Sequence, residues 1–154
     1  MSLPRPLHTL RNAMLPDGSR ADVVLDGETV AQIVAPGTAP VTTADLDLTG
    51  YVLLTAAADP HAHLDKSRTW DLISPTFGDL PTAVAQYAEY ADAETRESIA
   101  DRARTTALDM LAHGVTAVRS HANFLSGDDP LRGVDALLQV RDELRDLMDI
   151  ELCT

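Results

Sequence analysis

With a single cysteine, Cys153, in 154 residues, this chain can form no internal disulfide and no cysteine-rich zinc module, so any metal must be held by histidine and carboxylate. No apolar run approaches the roughly 18 residues that a membrane-spanning helix needs. Residues 1–6 lack the hydrophobic core of a signal peptide, and the expectation is a cytoplasmic protein with no membrane partner. Bases are scarce too: 12 Lys and Arg stand against 24 Asp and Glu, a formal charge of −12. Such a surface repels phosphate backbones, which argues against a nucleic-acid partner. No Gly-x-Gly-x-x-Gly follows any strand-like run, so a dinucleotide-binding sheet loses its main support. Internal repeats and low-complexity tracts are absent as well. The apolar share of 45% and charged share of 23% are those of an ordinary folded domain, and the length is enough for one.

What is present divides in two. Residues 1–50 have strand-and-turn character. The turn dipeptides Asp17-Gly18, Asp26-Gly27 and Pro36-Gly37 punctuate two short runs rich in β-branched residues, 21–25 and 29–34. A small β meander is expected. Residues 51–154 open with the apolar run 51–55, followed by alternating helices and strands. A helix is expected over about 79–90, with Pro81 tolerable only in its first turn. A second is expected over 95–112. Its Ile99, Ala103, Ala107, Met110 and Leu111 recur at three- and four-residue steps, and Gly114 sits where a helix stop belongs. Residues 115–118 read as a buried strand leading to Arg119-Ser120-His121. Asp129-Pro130 suggests a cap and a first-turn proline, starting a helix with Val134, Leu137, Leu138 and Leu144 on one stripe. Residues 150–154 close as a strand. The β–α–β–α–β order implies parallel strands joined by helical crossovers, with chemistry at the strands' C-terminal ends as in a (β/α)-barrel. Three strands are a little over a third of an eight-stranded barrel, so the chain is expected to be the N-terminal segment of something longer.

The chemistry concentrates at Asp59-Pro60-His61-Ala62-His63-Leu64-Asp65-Lys66. Side chains two apart on an extended strand share a face, so His61 and His63 can present both imidazoles to one point. Two neutral imidazoles suit a borderline divalent ion such as zinc or iron. A hydrolytic site also needs further ligands, and a carboxylate to move protons. Asp65 and Lys66 read equally as an ion pair or as solvated charges. His113, at a helix end, and His8, in the meander, read as bystanders.

This segment resembles the strand-one metal motif of the amidohydrolase superfamily, above all that of cytosine deaminases and the related N-isopropylammelide isopropylaminohydrolases. The run His113-Gly114-Val115-Thr116-Ala117-Val118-Arg119-Ser120-His121-Ala122-Asn123 is similar to the same group's second strand, commonly Gly-x-x-x-Val-Arg-Thr-His-Val-Asp. The resemblance implies a mixed α/β fold: the N-terminal part of a (β/α)8 TIM-type barrel, preceded by strands of a small β-sandwich. It implies a homo-oligomeric C–N hydrolase that uses one divalent ion, zinc or iron, to deaminate or dealkylaminate a cyclic amidine such as a pyrimidine or s-triazine. His61 and His63 would be metal ligands, and Leu64 would line the pocket against a flat heterocycle. His121 and Asn123 would stand behind the ligands, with Ser120 and Asn123 departing from the usual Thr and Asp. The group's later ligands and proton-transfer groups have no counterpart here, so no catalytic residue is assigned and these residues alone are expected to be inactive. Two other readings stay open. One is an amidohydrolase acting on a cyclic amide through a two-metal site. The other is a non-catalytic α/β binding domain.

Overall fold

The computed structural model describes residues 6–73 and 79–154. Residues 1–5, within the start read for a signal peptide, and residues 74–78, within the loop after the histidine pair, lie outside the described residues. The chain forms two compact units, residues 1–55 and 56–154, where the sequence suggested a boundary at 50/51.

The first unit is a four-stranded sheet in the order β3-β2-β1-β4. Its strands are β1 (Thr9–Met14), β2 (Arg20–Asp26), β3 (Thr29–Val34) and β4 (Asp45–Asp47). The hairpin β2–β3, turning at Asp26-Gly27, is the one the β-branched runs foretell. Strands β1 and β4 were not foreseen. Strand β1 carries Asn12 at φ 57°, inside a break of register between Leu10 and Ala13, and asparagine is among the few residues that tolerate that geometry. Polar groups knit this sheet. The buried Asp22 carboxylate accepts from the amides of Asn12 (3.0 Å) and Gly37 (2.8 Å). Arg11 then pairs with both Asp22 and Asp45.

Hydrogen bonds from the Thr42 amide and hydroxyl, followed by the Arg11 guanidinium, hold the Asp45 carboxyl well below the usual carboxylate range. A depressed folded-state value means a contribution that is present above the unfolded value of about 4 and lost as pH falls. The protection of amides in β1 and β4, measured against the exchange of an unstructured peptide at the same pH, is therefore expected to fall between neutral pH and strong acid. Asp45→Asn should flatten that pH dependence, and an unchanged slope in the variant would refute the assignment.

The apolar run 51–55 is not the strand that leads to the histidines. The Met14 amide donates to the Tyr51 carbonyl (3.1 Å) and the Leu53 amide to the Met14 carbonyl (2.8 Å), so this run extends the end of β1 as a parallel bridge. The strand that delivers the histidines starts later, among small alanines.

The second unit is a parallel sheet of β5 (Ala57–Ala62), β6 (Val115–His121) and β7 (Asp149–Cys153), in that order. Helices α1 (Trp70–Ile73), α2 (Leu80–Ala91) and α3 (Arg96–Ala112) lie between β5 and β6, and α4 (Arg132–Leu144) between β6 and β7. Asp79 caps α2 by accepting from the Thr82 amide, with Pro81 in the first turn, and Thr95 caps α3 by accepting from the Ser98 amide; each satisfies an orphan amide. Gly114, at φ 87°, ends α3 in a left-handed conformation that favours glycine. On α3 the buried face is Ile99, Ala100, Ala103 and Ala107. Its small residues let α4 approach, with Ala136, Leu137, Val140 and Leu144, while Val118 and Ile150 close the core from the sheet. The stripe on α4 is thus 136/137/140/144, and Val134 and Leu138 fall to its flanks. Among the described residues no helix is long and apolar enough to cross a membrane.

The start of α4 departs from expectation. Its N-cap is Leu131, with no side-chain cap, because Asp129-Pro130 is absorbed into a turn built around Arg132. That buried guanidinium donates to the carbonyls of Ala91, Glu94, Ser126 and Asp129 at 2.7–2.9 Å. One side chain thus satisfies the end of α2 and the loop before α4 together.

Candidate metal centre

The end of β5 is shaped by Asp59 and Pro60. Proline has no amide to give to the ladder, and the register with β6 breaks between Asp59 and Ala62. The freed amide of His61 turns to the Asp59 carboxylate instead, at 3.0 Å. The strand is re-aimed at this irregularity, as bulges next to functional sites commonly do. His61 and His63 are both exposed, with ring centroids 5.3 Å apart.

His121, at the end of β6, joins them. Its ring lies 4.3 Å from that of His61 and 5.5 Å from that of His63. Pairing of Ala62 with Ser120 sets the two strand ends level, which is what gathers residues 58 positions apart. Cys153, at the end of β7, places its sulfur 3.4 Å from His121 Nδ1, so three successive parallel strands contribute to one cluster. Burial first, then the Lys66 charge, lowers the pKa of His63 against the opposing Asp65 carboxylate. The shift favours the unprotonated imidazole, the form that binds metal.

The other expected residues fall as follows. Leu64 is 1% exposed and belongs to the core beneath the site, packed with α3 and α4 residues. It does not line the cavity, because the turn that follows His63 points its side chain inward. Asn123 is exposed and does border the cavity. His113 caps α3, its Nδ1 lying 2.7 Å from the Asp109 carbonyl oxygen. His8 lies beside Thr9 and Asp45 in the first unit.

The cavity beside His63 measures about 640 Å³ and has a mostly apolar wall that includes Trp70, Ile73, Val84 and Tyr87, with Lys66 and Asn123 at its polar side. Tyr87 had no signal in the sequence, since a lone tyrosine carries no pattern. Asp65 and Lys66 do form an ion pair, 3.1 Å long, and the carboxylate is buried. Behind them runs a buried network. Tyr87 donates to Glu94 at 2.9 Å; Glu94 pairs with Arg102; Arg102 donates onward to the carbonyls of Ser67 (3.0 Å) and Asp65 (3.2 Å). Burial, then the Glu94 charge, pushes the Tyr87 phenol well above its ordinary value, so it stays a donor.

The donor chemistry suits a divalent ion: two accessible imidazoles, two residues apart, at a strand end. They are not a complete set. Among the described residues no group of three or more His, Cys, Asp or Glu is placed to hold a metal, and the three rings lie against one another.

No family model matches the chain. It is 26% identical over 135 residues to a pterin deaminase of Rhizobium rhizogenes, covering 86% of this chain and 30% of the relative. In fold it is similar to 5-methylcytosine deaminase from Klebsiella pneumoniae, solved with 5-fluorocytosine. That match has a TM-score of 0.79 and 25% identity, and covers 94% of this chain and 35% of the other. A mutant of the atrazine chlorohydrolase TrzN from Arthrobacter aurescens, complexed with zinc and atraton, matches with a TM-score of 0.70 at 16% identity. Here 96% of this chain and 35% of that one are covered. The chain spans about a third of the length of these proteins. In sequence and in fold it is similar to the N-terminal portion of amidohydrolase-superfamily enzymes, deaminases among them.

Proposed function

We propose that this chain is the N-terminal portion of a metal-dependent hydrolase that cleaves an exocyclic C–N bond of a cyclic amidine. The substrate class is a pyrimidine, pterin or s-triazine ring. One observation carries the reading: His61 and His63 stand together at the end of a parallel strand, beside a cavity wide enough for a flat heterocycle. The pterin and 5-methylcytosine deaminases among its relatives support the ring class, and the zinc in TrzN supports a divalent ion.

His61 and His63 would hold the ion, zinc or iron, whose chemistry is to acidify a bound water and polarise the ring. The rest falls to the chain's own groups. Trp70, Val84 and Tyr87 offer a dry wall to the ring face, and the Lys66 ammonium and Asn123 amide offer polar contact to its edge. Ligands and proton carriers beyond these would come from sequence outside this chain, so the 154 residues by themselves would not turn over.

The test uses the full-length protein. Ammonia or alkylamine release from cytosine, pterin and aminotriazine substrates is expected; a chelator should abolish it and added zinc or ferrous iron restore it. Metal-replete protein that releases no amine from any of these rings would refute the reading.

A further inference from the structure

We propose that Ser120 and Asp65 are positioning residues for the histidine pair, clamping the turn after His63 onto the end of β6 so that His61 and His63 hold their ion tightly. The inference rests on the metal-dependent reading and extends it to residues that touch no metal themselves.

Ser120 is fully buried, and its Oγ accepts from the amide of Leu64 at 3.0 Å. The backbone of Ser120 also pairs with Ala62. One residue therefore grips the chain on both sides of His63, first through the ladder and then through its hydroxyl. Asp65 is 2% exposed. Its Oδ2 accepts from the amide of Asn123 at 3.1 Å and faces Lys66 Nζ at 3.1 Å. This second bond ties the residues after His63 to the residues after His121, so both flanks of the imidazole cluster are fastened.

The grip matters because β5 is poorly held just there. Its ladder breaks after Asp59 and resumes only at Ala62. Burying a hydroxyl and a carboxylate is costly unless each is bonded, and apolar side chains would fill the same space without that cost. What hydrogen bonds add is direction: they fix backbone placement within a fraction of an ångström, which a shared ligand position requires.

The experiment is zinc competition against a chromophoric chelator, using the full-length protein. Ser120→Ala and Asp65→Ala are each expected to weaken zinc binding by about 10–100-fold, the range for groups that orient metal ligands. Ser120→Thr, which keeps the hydroxyl, should bind close to wild type. Val140→Ala, a core truncation in α4, serves as the control of comparable loss in Tm and should keep zinc affinity. Should Ser120→Ala fail to fold, Ser120→Cys, a weaker acceptor for the Leu64 amide, carries the same comparison. Wild-type affinity in Ser120→Ala (or in Ser120→Cys standing in for it), or in Asp65→Ala, overturns the proposal. So does an equal loss in Val140→Ala, since that would be general loosening. Wild-type protein that binds no zinc at all overturns the metal-dependent reading instead.

Discussion

His63→Ala in the full-length protein is expected to cut turnover by more than about a thousandfold, roughly 4 kcal/mol of barrier at 1.36 kcal/mol per decade. His61→Ala should do the same. The reason is that the pair would supply two of the ion's protein ligands, and loss of a ligand should weaken metal binding by more than the roughly 10–100-fold seen when an orienting partner is removed. Metal content by atomic emission should fall in parallel with activity. The control is His113→Ala, whose ring sits against the Asp109 carbonyl and not in the cluster; it should retain metal and turnover. His121→Ala separates two roles. Its ring is closest to His61, so retention of metal with reduced turnover would place it as a substrate or proton contact, and loss of metal would make it a ligand. Full turnover by His61→Ala or His63→Ala after metal stripping would sink the metal-dependent reading.

Glu94→Ala carries the largest expected stability loss, about 3–5 kcal/mol, because it strands the Arg102 charge in the interior. The Glu94 side chain is fully buried and that of Arg102 only 11% exposed. Removing the carboxylate also deprives the Tyr87 hydroxyl of its acceptor. Against a domain stability of about 5–15 kcal/mol, this is enough to shift urea unfolding strongly. Glu151→Ala, which breaks the exposed pair with Arg119, should cost no more than about 1 kcal/mol. In the double variant with Arg102→Met, much of the loss should return, since the orphaned charge goes with its partner. A loss for Glu94→Ala as small as that for Glu151→Ala would refute the account of the network. Function should follow stability here, because Arg102 also donates to the carbonyls of Asp65 and Ser67, in the turn that leaves His63.

Helix ends and the helix-bearing half of the fold were legible because they rest on local chemistry. The helices expected over 79–90 and 95–112 start within a residue of where they were read, and Gly114 ends α3 because few other residues accept its φ. The spacing of Ile99, Ala103 and Ala107 likewise marks one face of a helix without reference to its partner. The misreadings came where a local signal met a longer-range competitor. Residues 51–55 look like a strand and are extended, but they are claimed by Met14 rather than by the sheet that carries the histidines. Asp129-Pro130 is a good helix start in isolation, yet Arg132 finds carbonyls of the α2–α3 connection and makes a turn of it.

The sequence by itself determined the histidine pair, because two positions on an extended strand share a face by geometry alone. It also determined the exclusion of thiolate-rich chemistry, and the alternation of strands and helices. Tertiary structure decided how near His121 comes to that pair, through a parallel register between residues 62 and 120. It alone decided that Asp65 is a buried hydrogen-bond acceptor and not a solvated charge, and that Lys66 and Tyr87 border a cavity. The division has one physical cause. Periodicity, caps and turn preferences act over a few residues and are written in neighbouring side chains. Registry between strands, and burial of charge, are settled by which distant segments share the same low-dielectric space.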